Sequence, residues 1–522
     1  MKTNTLGQTI DYHQEHFPES LIELSELVTK FRERRESYNV TSTGNNWGYG
    51  CYASHQPSVH HISLKKMNQI KEFDRESGLI TLEPGVTYNI LSQYLQKNAP
   101  EWIAPVHGGG PDCSVIGNAL ERGYGITPIM DHFGACQALK AILPDGRIYQ
   151  SPLSSIDLKD LSKKFRYGIG PYLDGIFTQS NMGIVTEMTI KLAPKSESIE
   201  LFFFNFDESE IVDGVEIIRK IKTKYKGIVG GVNLMNKERM LSMLVDYPEE
   251  LIKSREPLPQ DLIQQKKKDF MVGDWNIVGA IYGQKEIVKA TKKLIKRDIK
   301  NFKAKKVFLS QSKIQLLNRI DSSIPFLFTS SLKRTFKALT ELLNILNGIP
   351  ERTALKLAYW KNLSNKKIAN PTQDNCGIIW YAPLVELNQK NVRDYIKLMK
   401  RVSERFDFNP IITLTTVDEM CFDSTVPILF NKKDPLDQKR AHDYFHALLE
   451  EGYLEGFYPY RFGTHSMDNF IDKLDSEYIS IIDSIKKAFD PNCIYSNGRY
   501  HKSIETKTKQ PTVKSIYFGG TF

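Results

Sequence analysis

Two spacings of apolar residues occur in the first part of the chain, and each predicts a different element. In residues 21–35 apolar residues recur every three or four positions, which predicts a helix. In residues 183–192 they recur at every second position, which predicts a strand with one buried face. Short strands are predicted over 38–42 and 79–82, and a hairpin over 138–149, where a Pro-Asp-Gly run supplies the turn. Glycine-rich loops separate these elements, so strand, turn and helix follow one another at short intervals.

After Pro194 the chain changes character, which predicts a boundary near residue 196. The segment that follows, to about residue 457, combines strands with long helices and is rich in lysine. Its predicted strands are 199–205, 377–384 and 410–416, its predicted helices are 392–406 and 437–450, and a helix at 479–489 belongs to the last part of the chain. A chain of 522 residues exceeds the roughly 250–300 residues that one hydrophobic core serves, so we expect two large domains.

The composition is that of a globular protein. Hydrophobic residues make up 41% of the chain and charged residues 25%, which excludes collagen-like, low-complexity and wholly disordered classes. The longest apolar runs, Leu201–Phe204 and Ile378–Ala382, are far shorter than the roughly 18 residues that cross a bilayer. Residues 1–5 have none of the features of a secretory signal, and the six cysteines lack the spacing of a zinc site or a redox pair. We therefore expect a cytoplasmic protein with no membrane partner and no metal.

The net charge of +9 raises the hypothesis of a nucleic-acid partner. Much of the excess lies in Lys266–Lys268 and in Lys285–Lys306, where apolar residues recur at helical spacing between the lysines, namely Ile287, Leu294, Ile295 and Ile299. This pattern is typical of the solvated face of an amphipathic helix, whereas a groove that follows phosphates would also need interleaved aromatic residues. We expect no nucleic-acid partner.

Three glycine-containing loops lie in the first part of the chain, at residues 42–50, 107–118 and 180–185. None matches a Rossmann fingerprint or a P-loop, because the glycine spacing differs and no phosphate-binding lysine follows. Glycines permit a left-handed backbone and let N–H groups approach an anion closely, and neighbouring Thr and Asn side chains add donors. A dinucleotide with an extended pyrophosphate needs several such approaches. FAD bound outside the Rossmann family is therefore one hypothesis, and three unrelated turns are the alternative.

Five stretches of the sequence carry a resemblance to a known family. They are Thr43–Gly50, Glu83–Tyr88, Gly117–Gly123, Gly170–Thr186 and Asp490–Asn492. Together they resemble the vanillyl-alcohol oxidase and p-cresol methylhydroxylase flavoproteins, and the stretch from Gly170 to Thr186 is the most specific. The resemblance covers most of residues 38–195 and 375–500, whereas residues 197–370 match poorly.

The resemblance implies an α+β fold with a split FAD-binding domain of the vanillyl-alcohol oxidase type. Residues 1–196 and 458–522 would form that domain, and residues 197–457 an inserted α+β cap domain over the isoalloxazine ring. It implies that FAD is bound by residues of the glycine loops and of the C-terminal return, namely Thr43, Gly44, Asn45, Asn46, Gly48, Gly109, Ser114, Gly117, Asn118, Gly183, Ile184, Val185 and Arg499.

The activity that the resemblance implies is removal of hydride from the benzylic carbon of a para-substituted phenol, through a quinone methide. In this family two tyrosines and an arginine hold the substrate as phenolate, and Tyr49, Tyr460 and Arg461 stand at the matching positions. An arginine that is always cationic, together with two phenolic donors, lowers the pKa of a bound phenol. The alternatives are that Tyr49 only packs on FAD, and that Tyr460 is a partly buried side chain beside a surface arginine.

Two departures from the family pattern change these expectations. Ile378 stands where many members tether FAD covalently through His or Tyr, so we predict non-covalent FAD, with Tyr381 as an alternative tether. Val106 stands where the oxidase branch has an aspartate near the flavin, which favours a dehydrogenase without deciding between the two classes. His107 is then the nearest candidate for proton transfer, and a loop histidine bonded to backbone is its alternative role.

Two further hypotheses about the activity stay open at this point. The same fold could act on a non-phenolic alcohol or a 2-hydroxy acid, or it could bind flavin without turnover. We expect a phenolic small molecule as substrate and a homodimer as the assembly. A cytochrome or another electron acceptor is a candidate partner. The lysine-rich helix of the cap is its candidate docking face, and a merely solvated helix is the favoured alternative.

Overall fold

The structure is a computed structural model that describes residues 2–156, 158–323, 329–363, 368 and 370–502. Residues 503–522, the end of the predicted C-terminal segment, lie outside the described residues. None of the helices in the described part of the chain combines the length and the apolar character that a membrane span requires.

The strands and helices are labelled in chain order. The strands are β1 (Tyr12–His16), β2 (Tyr38–Thr41), β3 (Val59–Ser63), β4 (Ile70–Asp74), β5 (Leu79–Leu82), β6 (Trp102–Ile103), β7 (Cys136–Ile142), β8 (Ile148–Gln150), β9 (Ile184–Lys191), β10 (Ala193–Pro194), β11 (Ser198–Phe206), β12 (Asn233–Asn236), β13 (Trp275–Gly283), β14 (Lys305–Ser310), β15 (Gly377–Tyr381), β16 (Leu384–Glu386), β17 (Thr413–Thr416) and β18 (Cys421–Phe430). The helices are α1 (Leu21–Arg34), α2 (Tyr88–Asn98), α3 (Val115–Leu120), α4 (Pro152–Ser155), α5 (Lys159–Lys164), α6 (Ile211–Lys224), α7 (Lys237–Leu244), α8 (Glu249–Ser254), α9 (Gln260–Phe270), α10 (Lys285–Asp298), α11 (Gln311–Ser323), α12 (Ser330–Leu346), α13 (Gln389–Arg405), α14 (Pro435–Leu454), α15 (Met467–Ile471) and α16 (Ser476–Phe489).

Helix α1 shows how local sequence determines an element here. The Ser20 side chain accepts a hydrogen bond from the Glu23 N–H, which caps the helix, and Arg35 ends it in the left-handed conformation. The face predicted from the spacing is the buried one, with Leu24, Val28 and Phe31 in a core cluster and Leu27 packed against it. The predicted helix over 21–35 is confirmed to within one residue.

The predicted strands over 79–82 and 183–192 and the predicted hairpin lie in one five-stranded antiparallel sheet, whereas the predicted strand over 38–42 is β2, which pairs with β3 in a separate sheet. The order of the five-stranded sheet is β4-β5-β9-β7-β8, with the predicted strand of residues 183–192 in the centre as β9. Side chains of α2, α3 and this sheet share a single hydrophobic cluster. The glycine loops that precede α3 and β9 are therefore attached to a closely packed unit, and the loop that follows β2 leaves a strand whose Tyr38 packs in an adjoining cluster with Ile142 and Ile184.

A second, larger antiparallel sheet is built from strands that all lie between residues 198 and 430. Its order is β14-β11-β13-β12-β17-β18-β15, with β16 also paired to β18. Along β11 alternate residues face opposite sides: Phe202, Phe204 and Phe206 enter the main core with α6, α13 and α14, and Phe203 and Asn205 face the other way. The two sheets fall on either side of residue 196, and the boundaries at 196 and 457 stay predictions.

Two of the expected elements differ in the structure. Residues 285–306 are not one helix, because α10 ends at Asp298 and β14 begins at Lys305. Of the four apolar residues that the spacing singled out, Ile295 and Ile299 are buried and Ile287 and Leu294 are exposed. Val288 and Thr291 complete the buried face of α10, so the expected apolar face is only partly the buried one. The predicted strand over 377–384 is two strands, β15 and β16, separated at Ala382 and Pro383, since proline has no N–H for the ladder.

Candidate functional site

A cavity of about 920 Å³ lies between the glycine loops and one face of the large sheet. Its walls include most of residues 39–55 and 113–126 and residues 107–109 of the loop-rich part, and the returning residues 460–461 and 495–497. Strands β11, β12, β13, β14, β17 and β18 supply the opposite wall. Segments that are hundreds of residues apart in sequence thus meet around one space, which is large enough for an organic ligand.

The wall made by the glycine loops presents backbone to the cavity. Gly44 and Gly50 have φ values of 70° and 83°, a conformation that favours glycine. A Cβ atom on Gly44 would overlap the ring of Tyr52, whose hydroxyl donates to the Thr43 carbonyl oxygen at 3.1 Å. A Cβ atom on Gly117 would overlap the hydroxyl of Ser42. Side chains other than hydrogen are therefore excluded where the loops approach the cavity.

Tyr49, Tyr460 and Arg461 meet on one part of the cavity wall. The guanidinium carbon of Arg461 lies 4.3 Å from the centre of the Tyr49 ring, and the same guanidinium donates to the Asn46 side-chain oxygen. Burial raises the pKa of Tyr49 and of Tyr460, so both hydroxyls are neutral donors at neutral pH. Two phenol donors and one cation thus border the same space.

A carboxylate that the sequence did not single out compensates part of this charge. Glu121 Oε2 lies 3.3 Å from Arg461 Nε, and Glu121 Oε1 accepts from Arg499. The carboxylate is nearly enclosed, so these ion pairs are shielded from solvent. One carboxylate between two arginines leaves one net positive charge beside the tyrosines.

Asp423 is the second buried carboxylate of this region. It lies on β18, and its Oδ1 atom has no hydrogen-bond partner among the described residues. Burial raises the pKa of Asp423 to about 7, against the opposing effects of Arg461 and of Tyr460, which favour the charged form. A carboxylate in this state can take up or release a proton near neutral pH.

His107 borders the cavity in a form that does not suit a base. Its Nδ1 accepts a hydrogen bond from the Gly109 N–H at 2.7 Å, which leaves the ring proton on Nε2. Nε2 is buried without a hydrogen-bond partner in the described part of the chain. Burial lowers the pKa of His107 to about 3, so the ring is neutral at neutral pH. This geometry favours the loop role that the sequence left as an alternative.

The strand register arranges the opposite wall in two rows of side chains. The row that contains Asp423, here called the Asp423 row, continues across paired strands through Thr415, Asn233, Val278 and Phe203. The next row, here called the Thr413 row, contains Thr425, Thr413, Met235, Asn276 and Asn205. Residues two apart on a strand are separated by about 7 Å, which sets the distance between the rows.

The structure brings nearly all predicted site residues to this cavity. Tyr49, Tyr460, Arg461 and His107 border it, and so do the predicted cofactor residues Thr43, Gly44, Asn45, Asn46, Gly109, Ser114, Gly117, Asn118, Gly183, Ile184, Val185 and Arg499. Gly48 is the exception, because its N–H is bound by the Thr5 hydroxyl at 2.7 Å and its α-carbon packs against Trp380. Its predicted role in cofactor binding therefore has no support from the cavity wall.

Comparisons with known proteins agree with this architecture. Residues 15–151 match a family model described as FAD binding domain. The chain is 29% identical over 487 residues to 1'-carboxy-chondrochloren decarboxylase of Chondromyces crocatus, covering 92% of this chain and 89% of that protein. It is 28% identical over 468 residues to the flavoprotein subunit of 4-cresol dehydrogenase (hydroxylating) of Pseudomonas putida, covering 88% of this chain and 82% of that one. The crystal structure of p-cresol methylhydroxylase with substrate bound matches with a TM-score of 0.82 and 23% identity, over 96% of this chain and 92% of that chain.

Over most of its length the chain is similar to members of the vanillyl-alcohol oxidase and p-cresol methylhydroxylase family, and its residues 15–151 match a FAD binding domain. It is a FAD-dependent oxidoreductase, and the predicted α+β fold with a FAD-binding domain is confirmed.

The residues of this flavoprotein fit FAD on structural grounds as well. Where Gly44 and Gly117 border the cavity, any Cβ would collide with the neighbouring Tyr52 or Ser42, so the backbone is kept open to a ligand. Hydroxyl and amide donors stand beside it, and the polar atoms His107 Nε2 and Asp423 Oδ1 are buried without a hydrogen-bond partner among the described residues. We assign FAD binding to the glycine-loop wall, which would hold the cofactor mainly through backbone N–H groups and short polar side chains.

Neither Ile378, at the position of the family's covalent link, nor Tyr381, the alternative tether, borders the cavity. Ile378 is fully buried in a core cluster and pairs with Leu429 on β18. The Tyr381 hydroxyl donates to the Phe457 carbonyl oxygen at 2.9 Å from the opposite face of the same strand. These positions support non-covalent FAD, which stays a prediction.

Sequence reasoning missed Glu121 and Asp423. Both are single carboxylates outside any glycine loop or Tyr-Arg pair, and only strand pairing and chain return bring them to Arg461. Glu121 lies within the stretch Gly117–Gly123 that carried part of the resemblance, which was the one available signal. No local pattern distinguishes Asp423.

Proposed function

We propose that this flavoprotein removes hydride from the benzylic carbon of a para-substituted phenol, which becomes a quinone methide. The observation that carries the proposal is the meeting of Tyr49, Tyr460, Arg461 and Asp423 on one part of the cavity wall. Bound FAD supplies a flavin ring that accepts a hydride.

The charges around the tyrosines suit a phenolate. Arg461 and Arg499 share Glu121, so one positive charge remains for a bound anion when Asp423 is protonated. The neutral hydroxyls of Tyr49 and Tyr460 can each donate to the substrate oxygen. An anionic oxygen pushes electron density through the ring toward the para position, which favours departure of hydride from the attached carbon. Tyr49, Tyr460 and Arg461, here called the phenol clamp, thus activate the substrate as well as orienting it.

Asp423 is the residue that we assign to the proton of the phenol. Its pKa of about 7 is matched to a proton acceptor at neutral pH, and Tyr460 and Arg461 both stabilise its charged form. When the phenol proton moves to Asp423, the Asp423 carboxyl becomes neutral. The one net positive charge of Arg461, Arg499 and Glu121 then compensates the negative charge of the phenolate. Substrate ionisation and the charge state of Asp423 are therefore coupled.

We propose further that the electrons leave to a separate acceptor. Val106 in place of the family's aspartate supports a dehydrogenase. The 4-cresol dehydrogenase relative is named as a flavoprotein subunit, which supports a partner protein. The homodimer and the lysine-rich docking face stay predictions.

The proposal is tested by mixing the oxidised holoenzyme with 4-ethylphenol without oxygen and following the flavin absorbance. We expect rapid bleaching with 4-ethylphenol and none with 4-ethylanisole, whose methyl ether cannot become a phenolate. The Arg461→Ala variant should bleach about 10²-fold more slowly, because a charge-assisted contact to the substrate is lost.

Three outcomes separate the competing hypotheses. If the anisole bleaches the flavin as fast as the phenol, phenolate activation is wrong. If only 2-hydroxy acids or non-phenolic alcohols bleach it, the flavoprotein acts on that second class. If no compound of either class bleaches a flavin that dithionite reduces readily, the protein binds flavin without this activity.

A further inference from the structure

Arg239 is a cation of the cavity wall that has no role in the mechanism above. It lies on α7 and reaches the Thr413 row of the large sheet, where its Nε donates to the Thr413 hydroxyl at 3.0 Å. Its Nη1 donates to the Ser242 hydroxyl at 3.3 Å. These two bonds use two of the five N–H groups of the guanidinium. Among the described residues, Nη2 has no hydrogen-bond partner.

The charge of Arg239 is not compensated by any carboxylate in the described part of the chain. Within the described residues no carboxylate lies in ion-pair distance of its guanidinium, in contrast to Arg461 and Arg499, which share Glu121. Burial lowers the pKa of Arg239 to about 10, and no acidic neighbour opposes that effect, yet the group stays charged at neutral pH. Enclosed cations are normally paired, because an unpaired buried charge is costly.

The position of Arg239 suits the part of a substrate that lies away from the phenol oxygen. Thr413 and Thr425 are paired across β17 and β18, and Thr415 is paired with Asp423 in the adjacent row. The contact of Arg239 with Thr413 therefore lies about 7 Å from the Asp423 row, which is the spacing between neighbouring rows. The phenol clamp lies at the Asp423 row, since Arg461 and Tyr460 both stabilise the charged form of Asp423. A para substituent that extends along β17 from a phenol held by the clamp would reach the Thr413 row.

Neutral side chains surround this position. Besides Thr413 and Thr425, the cavity wall here includes Asn276, Met235 and Met243. These residues can accommodate a substituent of two or three carbons and solvate its end. They cannot supply the negative charge that Arg239 lacks.

We propose that Arg239 binds a carboxylate at the end of the substrate's para substituent, so that the substrate is a para-substituted phenol that carries an acid. The planar guanidinium with free N–H groups on one side matches the two oxygens of a carboxylate. This inference rests on the proposed function, because it assumes that the clamp holds the phenol.

The test compares 3-(4-hydroxyphenyl)propanoate with its primary amide, which has the same length and differs in charge. Both are followed by anaerobic flavin bleaching of the holoenzyme. In the natural protein the second-order rate constant of flavin bleaching by the acid should exceed that by the amide by about 10–100-fold, the range expected for a charge-assisted contact. In Arg239→Gln this preference should disappear, and Arg239→Lys should restore part of it.

A matched control removes an arginine elsewhere. Arg219 is exposed on α6, is paired with Glu216, and does not border the cavity. Arg219→Gln should keep the full preference for the acid.

A second measurement without turnover uses 4-hydroxybenzoate and 4-hydroxybenzamide, which have no benzylic hydrogen. Their binding is followed by the change in flavin absorbance.

The outcomes distinguish this inference from the proposed function. If the amide and 4-propylphenol bleach the flavin as well as the acid does in the natural protein, the proposed phenol oxidation holds and the carboxylate site is wrong. Arg239→Gln could instead lose FAD, while the variant molecules that still hold FAD keep the preference for the acid. In that case Arg239 contributes to cofactor binding and the inference is again wrong. If neither the acid nor any neutral phenol bleaches the flavin, the failure belongs to the proposed function.

Discussion

The two walls of the cavity offer different chemistry to a ligand. The glycine-loop wall offers backbone, because side chains are absent at Gly44 and Gly117. The sheet wall offers side chains in rows, with residues such as Thr415 and Asp423 aligned by strand pairing. Changes on the first wall should therefore act on cofactor retention, and changes on the second on the substrate.

This difference explains which part of the site a family shares. A backbone cradle tolerates few substitutions, because any side chain closes it, so it persists as a recognisable motif. A row of side chains can exchange one polar group for another without changing the sheet. Substrate choice can therefore vary while the cofactor site and the fold stay the same.

The largest effect is expected for Gly44→Val. The backbone at Gly44 has φ of 70°, which costs an L-residue about 1–2 kcal/mol, and the new side chain would overlap the Tyr52 ring. We expect purified protein without flavin absorbance. Gly227→Ala is the matched control, because Gly227 has φ of 78° and a Cβ atom there would have no neighbour within 4 Å, so this variant should retain FAD. Full FAD content in Gly44→Val would contradict the assignment of cofactor retention to the glycine-loop wall.

The next effect is expected for Asp423→Asn. A general base contributes about 10²–10⁴-fold, so kcat/KM for 4-ethylphenol should fall by at least about 10²-fold with normal FAD content. Only the charged carboxylate accepts a proton, and its share grows as pH rises through about 7, so the natural protein should gain activity through that region. The variant should lose this rise. A pH profile unchanged from that of the exposed control Asp394→Asn would contradict the assignment.

A smaller effect is expected for Thr415→Val on the Asp423 row. Thr415 Oγ1 donates to Asn233 Oδ1 at 2.8 Å, and its loss removes a neutral hydrogen bond of about 0.5–1.5 kcal/mol. We expect kcat/KM for 4-ethylphenol to fall about 3–10-fold while the FAD content stays the same. Thr415→Ser keeps the hydroxyl and should lie close to the natural protein. A loss of FAD in Thr415→Val would show that the sheet wall also holds the cofactor.

The smallest effect on either ligand is expected for Tyr381→Phe. The hydroxyl lies in the main core and donates to the Phe457 carbonyl, so its removal should lower the free energy of unfolding by about 1–3 kcal/mol. Acid precipitation should leave a yellow supernatant for both the variant and the natural protein. If the pellet of the natural protein is yellow and the pellet of the variant is colourless, Tyr381 is the flavin tether.

Much of the fold was predictable because its elements depend on local sequence. The spacing of apolar residues located α1, and the Pro-Asp-Gly turn located the hairpin of β7 and β8. Prediction was poorer for α10, where lysines surround the helix and several faces satisfy the same spacing, so that packing against β13 decides which residues are buried. The prediction also joined β15 and β16 into one strand, although Pro383 separates them.

For the candidate site, the amino-acid sequence alone was enough to locate the glycine loops and, through the family resemblance, the Tyr-Arg pair. These depend on residue types at short spacing, such as glycines that must adopt positive φ. Three features of the site needed the folded chain: Glu121 joins Arg461 to Arg499, Asp423 lies beside Tyr460, and Arg239 borders the same cavity without an acidic partner among the described residues. The physical reason is that pKa values and charge compensation depend on burial and on distances between residues far apart in sequence, which strand pairing and chain return establish.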